Sequence, residues 1–322
     1  MAKTKIIPNI PVNARWKQNG VTVAGGHGKG SDTNQLDCPL GLFIDDDQTM
    51  VIADWGNERI IQWKMDDTNG EVVAGGHGQG NRLDQLSCPT DVLIDKETDS
   101  LIVFDLGNRR VARWSRRSGT TQGEIIFHDI QCWGLAMDDQ RYLYISDVEN
   151  DEIRRYQIGD KNGTIVAGGN GKGVGLNQLN FPTYIFVDQQ QTVYVSDCHN
   201  DRVMKWNKGA KEGIIVAEGQ GEGNALTQSW YPNGLFVDTL GTVYVADSGN
   251  NRVMRWPKEA KQGTVIVGGN DQGEGANQFN CLRDAADIES KRRTNNDNLS
   301  DFGLCSFRQR NEFSLSLFSF NF

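Results

Sequence analysis

The chain has 322 residues, of which 37 are glycine and 7 are proline, and its formal charge at neutral pH is −9. Abundant glycine without matching proline excludes a collagen-like or proline-rich chain, and no apolar run approaches the roughly 18 residues of a membrane-spanning helix. The negative charge disfavours a general binder of nucleic acid or anionic membrane, because its long-range field repels phosphate.

The first twelve residues form an N-terminal extension that precedes the first recurring feature. Residues 1–8 include Lys3 and Lys5 but no apolar segment of the kind that a signal peptide requires. We therefore expect a cytoplasmic protein without membrane attachment. Secretion is the alternative if the natural N-terminus lies further upstream.

Two short patterns recur along the chain at a spacing of about 50 residues, and the first of them has one double gap. One is a Val-Ala-Gly-Gly-like segment that begins at Val23, Val73, Val166, Val216 and Ile266. The other is Asp-x-x-Asn, with Arg five residues after the Asp in four of five units and an aromatic residue four positions later. Its residues are Asp54, Asn57, Arg59, Asp105, Asn108, Arg110, Asp147, Asn150, Asp197, Asn200, Arg202, Asp247, Asn250 and Arg252.

Each unit contains four short segments that are rich in Val, Ile and aromatic residues and bounded by turn residues. In the last complete unit these segments are residues 235–238, 242–246, 252–256 and 264–267. Their alternation is typical of strands rather than helices. Four antiparallel strands in each period predict the blade of a β-propeller.

The core Asp-x-x-Asn-x-Arg-[Ile/Val], with a strand before it and Trp after it, resembles the NHL repeat. The best matches are residues 197–203 and 247–253, and the resemblance extends over residues 13–282. It implies an all-β fold, a six-bladed β-propeller of four-stranded blades.

The sequence holds five complete units and the fragments of another. Residues 15–26 match the end of a unit and residues 277–281 match the start of one. We therefore predict that the sixth blade is split between the N- and C-terminal segments and is incomplete, which would remove free sheet edges. A closed ring of five blades is the alternative.

Residues 283–322 do not match the repeat. Residues 291–300 are polar and predict disorder, whereas residues 313–320 alternate like a strand with an apolar face. Two interpretations stay open: a divergent tail that supplies substitute strands, or a misjoined gene end. The abrupt loss of the pattern after Leu282 favours the second.

The most conspicuous polar residues are best explained by the scaffold. A group present in every blade maintains the fold, whereas a catalytic group should break the repeat, so we assign the Asp, Asn and Arg of the repeat to structure. The glycine-rich segments 25–30, 75–80 and 168–173 resemble phosphate-binding loops, but no helix follows them. We interpret them as connections between blades.

Neither the histidines nor the cysteines predict a metal site. His27 and His77 occupy one repeat position without a third ligand. Cys38, Cys88 and Cys281 share a position with Phe181 and Tyr231, which predicts a buried apolar slot rather than a disulfide or zinc site. The innermost strands end at Asp45, Asp95, Asp138, Asp188 and Asp238. These side chains suit turn capping, and a cation-binding ring is the alternative.

One group of basic residues breaks the repeat, and a possible contact patch consists of Arg109, Arg113, Arg116 and Arg117. In an acidic chain, the favoured interpretation is that these arginines form a solvated patch or pair with nearby Asp, and contact with RNA is the alternative.

The function expected from these observations is that of a non-enzymatic scaffold. We predict no catalytic, cofactor-binding or metal-binding residue and no cofactor, and we expect a protein or peptide to bind a loop face or the central channel. The resemblance implies two alternatives: an RNA-binding NHL domain like those of tripartite-motif ubiquitin ligases, and a propeller enzyme with a metal-dependent channel site, similar to the amidating lyase or to lactonases.

Overall fold

The computed structural model describes residues 10–11, 13–116, 120–270, 272–273, 277–279, 282, 285–289, 302–308 and 314–321. Their backbone forms strands joined by tight turns. In chain order the strands are β1 (Arg15–Trp16), β2 (Val21–Gly25), β3 (Pro39–Ile44), β4 (Met50–Asp54), β5 (Arg59–Trp63), β6 (Glu71–Gly75), β7 (Pro89–Asp95), β8 (Ser100–Asp105), β9 (Arg110–Ser115), β10 (Glu124–His128), β11 (Cys132–Met137), β12 (Tyr142–Asp147), β13 (Glu152–Gln157), β14 (Thr164–Gly168), β15 (Pro182–Val187), β16 (Val193–Asp197), β17 (Arg202–Trp206), β18 (Ile214–Glu218), β19 (Pro232–Val237), β20 (Val243–Asp247), β21 (Arg252–Trp256), β22 (Thr264–Gly268), β23 (Ala285–Glu289), β24 (Phe302–Arg308) and β25 (Ser314–Asn321).

Five antiparallel sheets of four strands follow one another along the chain, namely β3–β6, β7–β10, β11–β14, β15–β18 and β19–β22. In each sheet consecutive strands pair as neighbours, and the first strand of each blade contacts the first strand of the next. The predicted all-β propeller of four-stranded blades is therefore confirmed. We number these blades one to five.

The prediction of six blades was wrong, because the structure has five four-stranded blades. A separate five-stranded sheet lies between the fifth blade and the first, where β23 contacts both β19 and β3. It consists of β23, β24 and β25 from the tail, with β1 and β2 both paired to β25. Residues 17–20 separate β1 from β2. The N-terminal segment therefore contributes two short strands that lie end to end along β25, rather than one strand of a repeat unit.

Large apolar side chains fill the spaces between the blades. Trp114 of the second blade is 3% exposed and packs in one cluster with Val51 and Ile60 of the first blade. Equivalent tryptophans at 63, 206 and 256 are at most 3% exposed. Burial of each such side chain stabilises the fold by about 1.5–3 kcal/mol.

Within the described residues, no helix is long and apolar enough to span a lipid bilayer.

Candidate functional site

Each blade has two differently built ends. At one end, the first strand begins, the second strand turns into the third, and the chain passes to the next blade; in the first blade Asp54 pairs there with both Pro39 and Arg59. We call this end the connection face. At the opposite end, the turn face, the first strand turns into the second through residues 45–49.

The repeated Asp, Asn and Arg lie just below the connection face and form one hydrogen-bonded unit. In the first blade Asp54 is fully buried; its Oδ2 accepts from Asn57 Nδ2 and Arg59 Nε, each at 2.8 Å. Its Oδ1 accepts from the backbone N–H of Asp37 at 2.7 Å. Arg59 also donates to three backbone carbonyls of the incoming connection, at residues 31, 32 and 35.

The same unit recurs in the second, fourth and fifth blades. Arg110, Arg202 and Arg252 each bind the Asp of their own blade and three carbonyls of the incoming connection. Burial raises the pKa of the four aspartates, at 54, 105, 197 and 247, and hydrogen bonds from Asn and Arg oppose that rise. The unit fastens each connecting loop to its blade.

The third blade departs from this arrangement. Asp147 still accepts from Asn150 at 2.8 Å, but Glu152 replaces the arginine and binds Arg154. The incoming connection is short, because only residues 129–131 separate β10 from β11. The long loop that supplies carbonyl acceptors in the other blades is therefore missing, which accounts for the replacement of the arginine.

The glycine-rich loops and their histidines close the connections between blades. Gly30 packs against the amide of Gln35, which a Cβ on the glycine would approach to 2.0 Å, and Gln35 donates to the carbonyl of His27 at 2.8 Å. His77 Nδ1 lies 3.1 Å from the carbonyl oxygen of Asp84. These contacts are those of loop closure. Among the described residues, no three His, Cys, Asp or Glu side chains lie close enough together to hold a metal ion.

The slot shared by cysteines and aromatic residues is half-buried at Cys38, Cys88 and Phe181 and exposed at Tyr231, so it is not the fully buried slot that the sequence predicts. Cys38, Cys88, Phe181 and Tyr231 all have φ between 49° and 55°. This left-handed backbone at the start of the first strand directs the side chain onto the connection face, where Tyr231 is 45% exposed. Such a conformation is unusual for residues other than Gly, Asn and Asp. The remaining cysteine of this repeat position, Cys281, lies outside the described residues.

A carboxylate from the preceding blade fixes most of these slot residues. The residue after the repeat Asn accepts a hydrogen bond from the backbone N–H of the slot residue: Asp151 from Phe181 at 2.7 Å and Asp201 from Tyr231 at 3.0 Å. Glu58 accepts in the same way from Cys88. The repeat thus positions both the slot side chains and a row of carboxylates on the connection face.

In the third to fifth blades the slot residues Phe181 and Tyr231 join Trp133, His199 and Trp230 in one continuous row of five rings. Trp133 and Phe181 lie 5.8 Å apart, Phe181 stacks on His199 at 4.5 Å with 11° between the planes, and His199 meets Tyr231 edge-on at 5.8 Å. Trp230 stacks beside Tyr231 at 5.9 Å. We call these five residues the aromatic row.

Trp230 is held in place by a glycine in the neighbouring turn. A Cβ on Gly249 would lie 2.5 Å from the indole ring, and the N–H of Gly249 donates to the carbonyl of Trp230 at 2.7 Å. The ring therefore lies flat on the turn between β20 and β21 and is still 39% exposed. In the fourth blade His199 occupies the position of Gly249 and stacks on Phe181 instead.

Sequence reasoning missed the aromatic row, although it noted the individual substitutions. Phe181 and Tyr231 replace cysteine at the slot, and His199 stands where other units have Gly or Glu. One signal in the sequence could have revealed the row. These three departures from the repeat fall in consecutive units, at positions that contact each other between neighbouring blades.

The strand-end aspartates lie at the turn face. Asp138 and Asp238 each accept two backbone N–H groups of the following turn, at 2.8–3.0 Å. Asp45 and Asp95 also pair with arginines of the next blade, Arg116 and Arg141, at 2.9 and 2.6 Å. These contacts are those of turn capping and of ion pairing between blades.

The structure does not bring the arginines of the predicted contact patch together. Arg109 lies on the connection face and pairs with Glu149 at 2.7 Å, while Arg113 pairs with Glu124 at 2.6 Å. Arg116 follows the far end of β9 and pairs with Asp45 at the turn face. Arg117 lies outside the described residues. Each described guanidinium is thus opposite a carboxylate.

A tyrosine crosses the central channel. Tyr184 is on β15, and its hydroxyl donates to the carbonyl of Leu40 on β3 at 3.2 Å. These two innermost strands lie opposite each other in the ring that the five blades and the five-stranded sheet form together. Tyr184 is 6% exposed, so its side chain fills the channel at this level.

Comparison with known proteins supports the fold. Residues 230–255 match the NHL repeat, which confirms the resemblance in the fifth unit. No curated protein sequence is significantly similar to the chain.

Several solved structures have a similar fold. A structural genomics protein of unknown function from Bacteroides thetaiotaomicron has a TM-score of 0.69 and 15% identity, covering 95% of this chain and 77% of its own. The PQQ-bound aldose sugar dehydrogenase of Streptomyces coelicolor has a TM-score of 0.62 and 15% identity, covering 97% and 100%. A chain of the nidogen/laminin complex has a TM-score of 0.57 and 15% identity, covering 78% and 91%. At these identities the likeness concerns the fold alone.

Proposed function

We propose that this chain is a non-enzymatic recognition propeller that binds a protein segment or peptide on the connection face of its third to fifth blades. The observation that carries the proposal is the aromatic row. Exposed aromatic side chains that are held rigidly supply contact area at little cost in side-chain entropy, and Trp and Tyr are enriched among the residues that dominate binding energy. Five rings in line offer anchors for more than one side chain of an extended ligand.

The face is a better binding region than the channel. Tyr184 fills the channel and uses its hydroxyl to join opposite sides of the ring. A ligand that entered there would have to displace a buried side chain and break its hydrogen bond. The aromatic row needs no such rearrangement.

The charges near the row favour a peptide over RNA. Aromatic rings can stack on bases, but phosphates require neighbouring cations for affinity. Around Tyr231 the structure provides the carboxylates of Asp201 and Glu222, whereas on the same face Lys172 is a single cation and the guanidinium of Arg109 is already paired with Glu149.

Selection from a random dodecapeptide library displayed on phage tests the proposal. We expect enriched peptides that bind the wild-type protein and lose about thirtyfold in affinity with Trp230→Ala, the effect of removing a residue that contributes about 2 kcal/mol. Trp55→Ala is the matched control, because Trp55 is 37% exposed in the equivalent turn region of the first blade. The proposal fails if no peptide is enriched, or if enriched peptides bind the Trp230 variant as tightly as the wild type.

A further inference from the structure

We infer that the junction of the fourth and fifth blades is a subsite for a positively charged side chain, so that the peptide recognised by the aromatic row carries a Lys or Arg there. This inference rests on the proposed function and narrows its ligand class. The subsite consists of Trp230, Tyr231, Asp201 and Glu222.

The first blade holds an ion pair at the equivalent place. Lys29 forms an isolated bridge with Leu36, and its ammonium lies 3.0 Å from Asp37 Oδ1. Asp37 in turn packs against Gly56, whose Cβ would lie 2.4 Å from the carboxyl carbon. The first blade thus contains its own cation and its own anion on the connection face.

The fifth unit keeps this geometry but has lost the cation. Glu222 takes the position of Lys29, bridging Ser229 as Lys29 bridges Leu36. Trp230 takes the position of Asp37, and it packs on Gly249 as Asp37 packs on Gly56. The carboxylate of Glu222 and the aromatic face of Trp230 therefore lie where the first blade has an ion pair. A cation from the ligand would interact favourably with both groups.

A second carboxylate reinforces the negative potential of the subsite. One carboxylate oxygen of Asp201 accepts a hydrogen bond from the backbone N–H of Tyr231 at 3.0 Å. Its other oxygen accepts no hydrogen bond from any residue that the structure describes, and Glu222 is exposed. Burial raises the pKa of Asp201, and the negative charge of Glu222 raises it further. Glu222 belongs to the connection that leads to Tyr231, whose N–H binds Asp201, and a bound cation would relieve the repulsion between the two carboxylates.

The rings supply the other half of the subsite. Trp and Tyr faces attract ammonium and guanidinium groups through the ring quadrupole, and Trp does so most strongly. Trp230 and Tyr231 are 39% and 45% exposed beside the carboxylates. On the other side of Tyr231 lies His199, with 5.8 Å between the ring centroids, and Lys172 follows in the connection to the fourth blade. The subsite is therefore placed at the Glu222 end of the row.

Degenerate synthetic nonapeptides with one fixed central residue test this inference by fluorescence polarisation. The fixed residue is Arg in one pool, Gln in a second and Glu in a third. We expect the Arg pool to bind the wild-type protein about tenfold more tightly than the Gln pool, and the Glu pool to bind more weakly than either. Raising the ionic strength from about 0.05 to about 0.5 M should reduce the preference for Arg, because partly exposed charges are screened.

Isosteric variants identify the groups responsible. Glu222→Gln and Asp201→Asn should each reduce the Arg preference to about threefold or less, and Asn keeps both the acceptor for Tyr231 and the tolerance of φ 50° at this position. Glu212→Gln is the matched control, because Glu212 is exposed in the loop between β17 and β18 at the turn face. It should leave the preference unchanged.

The outcomes separate this inference from the proposed function. Binding of all pools that is lost with Trp230→Ala but shows no preference for Arg would overturn the cation subsite and leave peptide recognition intact. No Trp230-dependent binding by any pool, or such binding only by a labelled random-sequence RNA, would overturn both.

Discussion

At the scale of single residues, the arginine of the repeat holds the incoming connecting loop in four of the five blades. Arg202 is 4% exposed and joins the buried Asp197 to the carbonyls of residues 174, 175 and 178. Because four hydrogen bonds and one charge depend on a single side chain, its loss affects a whole connection. The arginine therefore links the buried core of a blade to the face that carries the aromatic row.

Replacement of this arginine should be severely destabilising. We predict that Arg202→Met lowers the free energy of unfolding by about 3–5 kcal/mol, because Asp197 is left buried without its counter-ion. Arg113→Met in the second blade is the control; Arg113 is 28% exposed and its partner Glu124 is 65% exposed, so a loss of about 1 kcal/mol or less is expected. Urea unfolding measures the loss of stability in both variants. Equal losses would contradict the role of Arg202 in holding the connecting loop to its blade.

At the scale of elements, the connections between blades depend on glycines that differ in what surrounds them. Gly168 and Gly171 have φ of 69° and 75° in the same loop. A Cβ on Gly168 would lie 2.6 Å from the carbonyl oxygen of Asp151, whereas a Cβ on Gly171 would meet nothing within 4 Å. A substitution at Gly171 therefore introduces backbone strain alone, whereas a substitution at Gly168 introduces the same strain and a steric clash.

Alanine substitutions at these glycines should therefore differ in cost. Gly171→Ala should lower the free energy of unfolding by about 1 kcal/mol, the cost of a left-handed backbone. Gly168→Ala should lower it by about 3 kcal/mol or more, because the clash with Asp151 adds to that strain. Thermal unfolding of the two variants checks the ranking, and a similar loss at both positions would argue against the close approach.

Most individual strands could be predicted from the sequence, but the aromatic row could not. The segments 242–246, 252–256 and 264–267 correspond to Val243–Asp247, Arg252–Trp256 and Thr264–Gly268. Strand alternation and turn residues are local, so a single unit contains the information needed to find them. The aromatic row forms because Phe181, His199 and Tyr231 from neighbouring blades contact one another. The sequence of a single unit does not contain the information needed to predict these contacts.

At the scale of the whole molecule, a sheet built by the N-terminal segment and the tail lies between the fifth blade and the first. Phe318 of β25 is fully buried, its ring lies 5.4 Å from that of Phe279, and it fills the space beside Gly20. Residues 313–320 were expected to alternate like a strand, and the structure has a strand at Ser314–Asn321. The segment at 291–300 that was predicted to be disordered lies outside the described residues.

Truncation of Phe318 tests how far the closing sheet supports the ring. We predict that Phe318→Ala lowers the free energy of unfolding by about 3–5 kcal/mol, as expected for a large-to-small change in a packed core. Val21→Ala in β2 is the control, because Val21 is 67% exposed and its loss should cost less than about 0.5 kcal/mol. Chemical denaturation followed by tryptophan fluorescence measures both variants. A negligible effect of Phe318→Ala would mean that the five blades hold together without this sheet.

The central claim, that the connection face of the third to fifth blades recognises peptides, is tested most directly by hydrogen–deuterium exchange. The measurement compares the free protein with the complex of a peptide selected by phage display. We predict slower exchange at residues 198–201 and 229–231, where the aromatic row and its carboxylates lie, and unchanged exchange at turn-face residues 45–49, 138–142 and 188–192. Protection confined to the turn face, with none at the aromatic row, would contradict the claim.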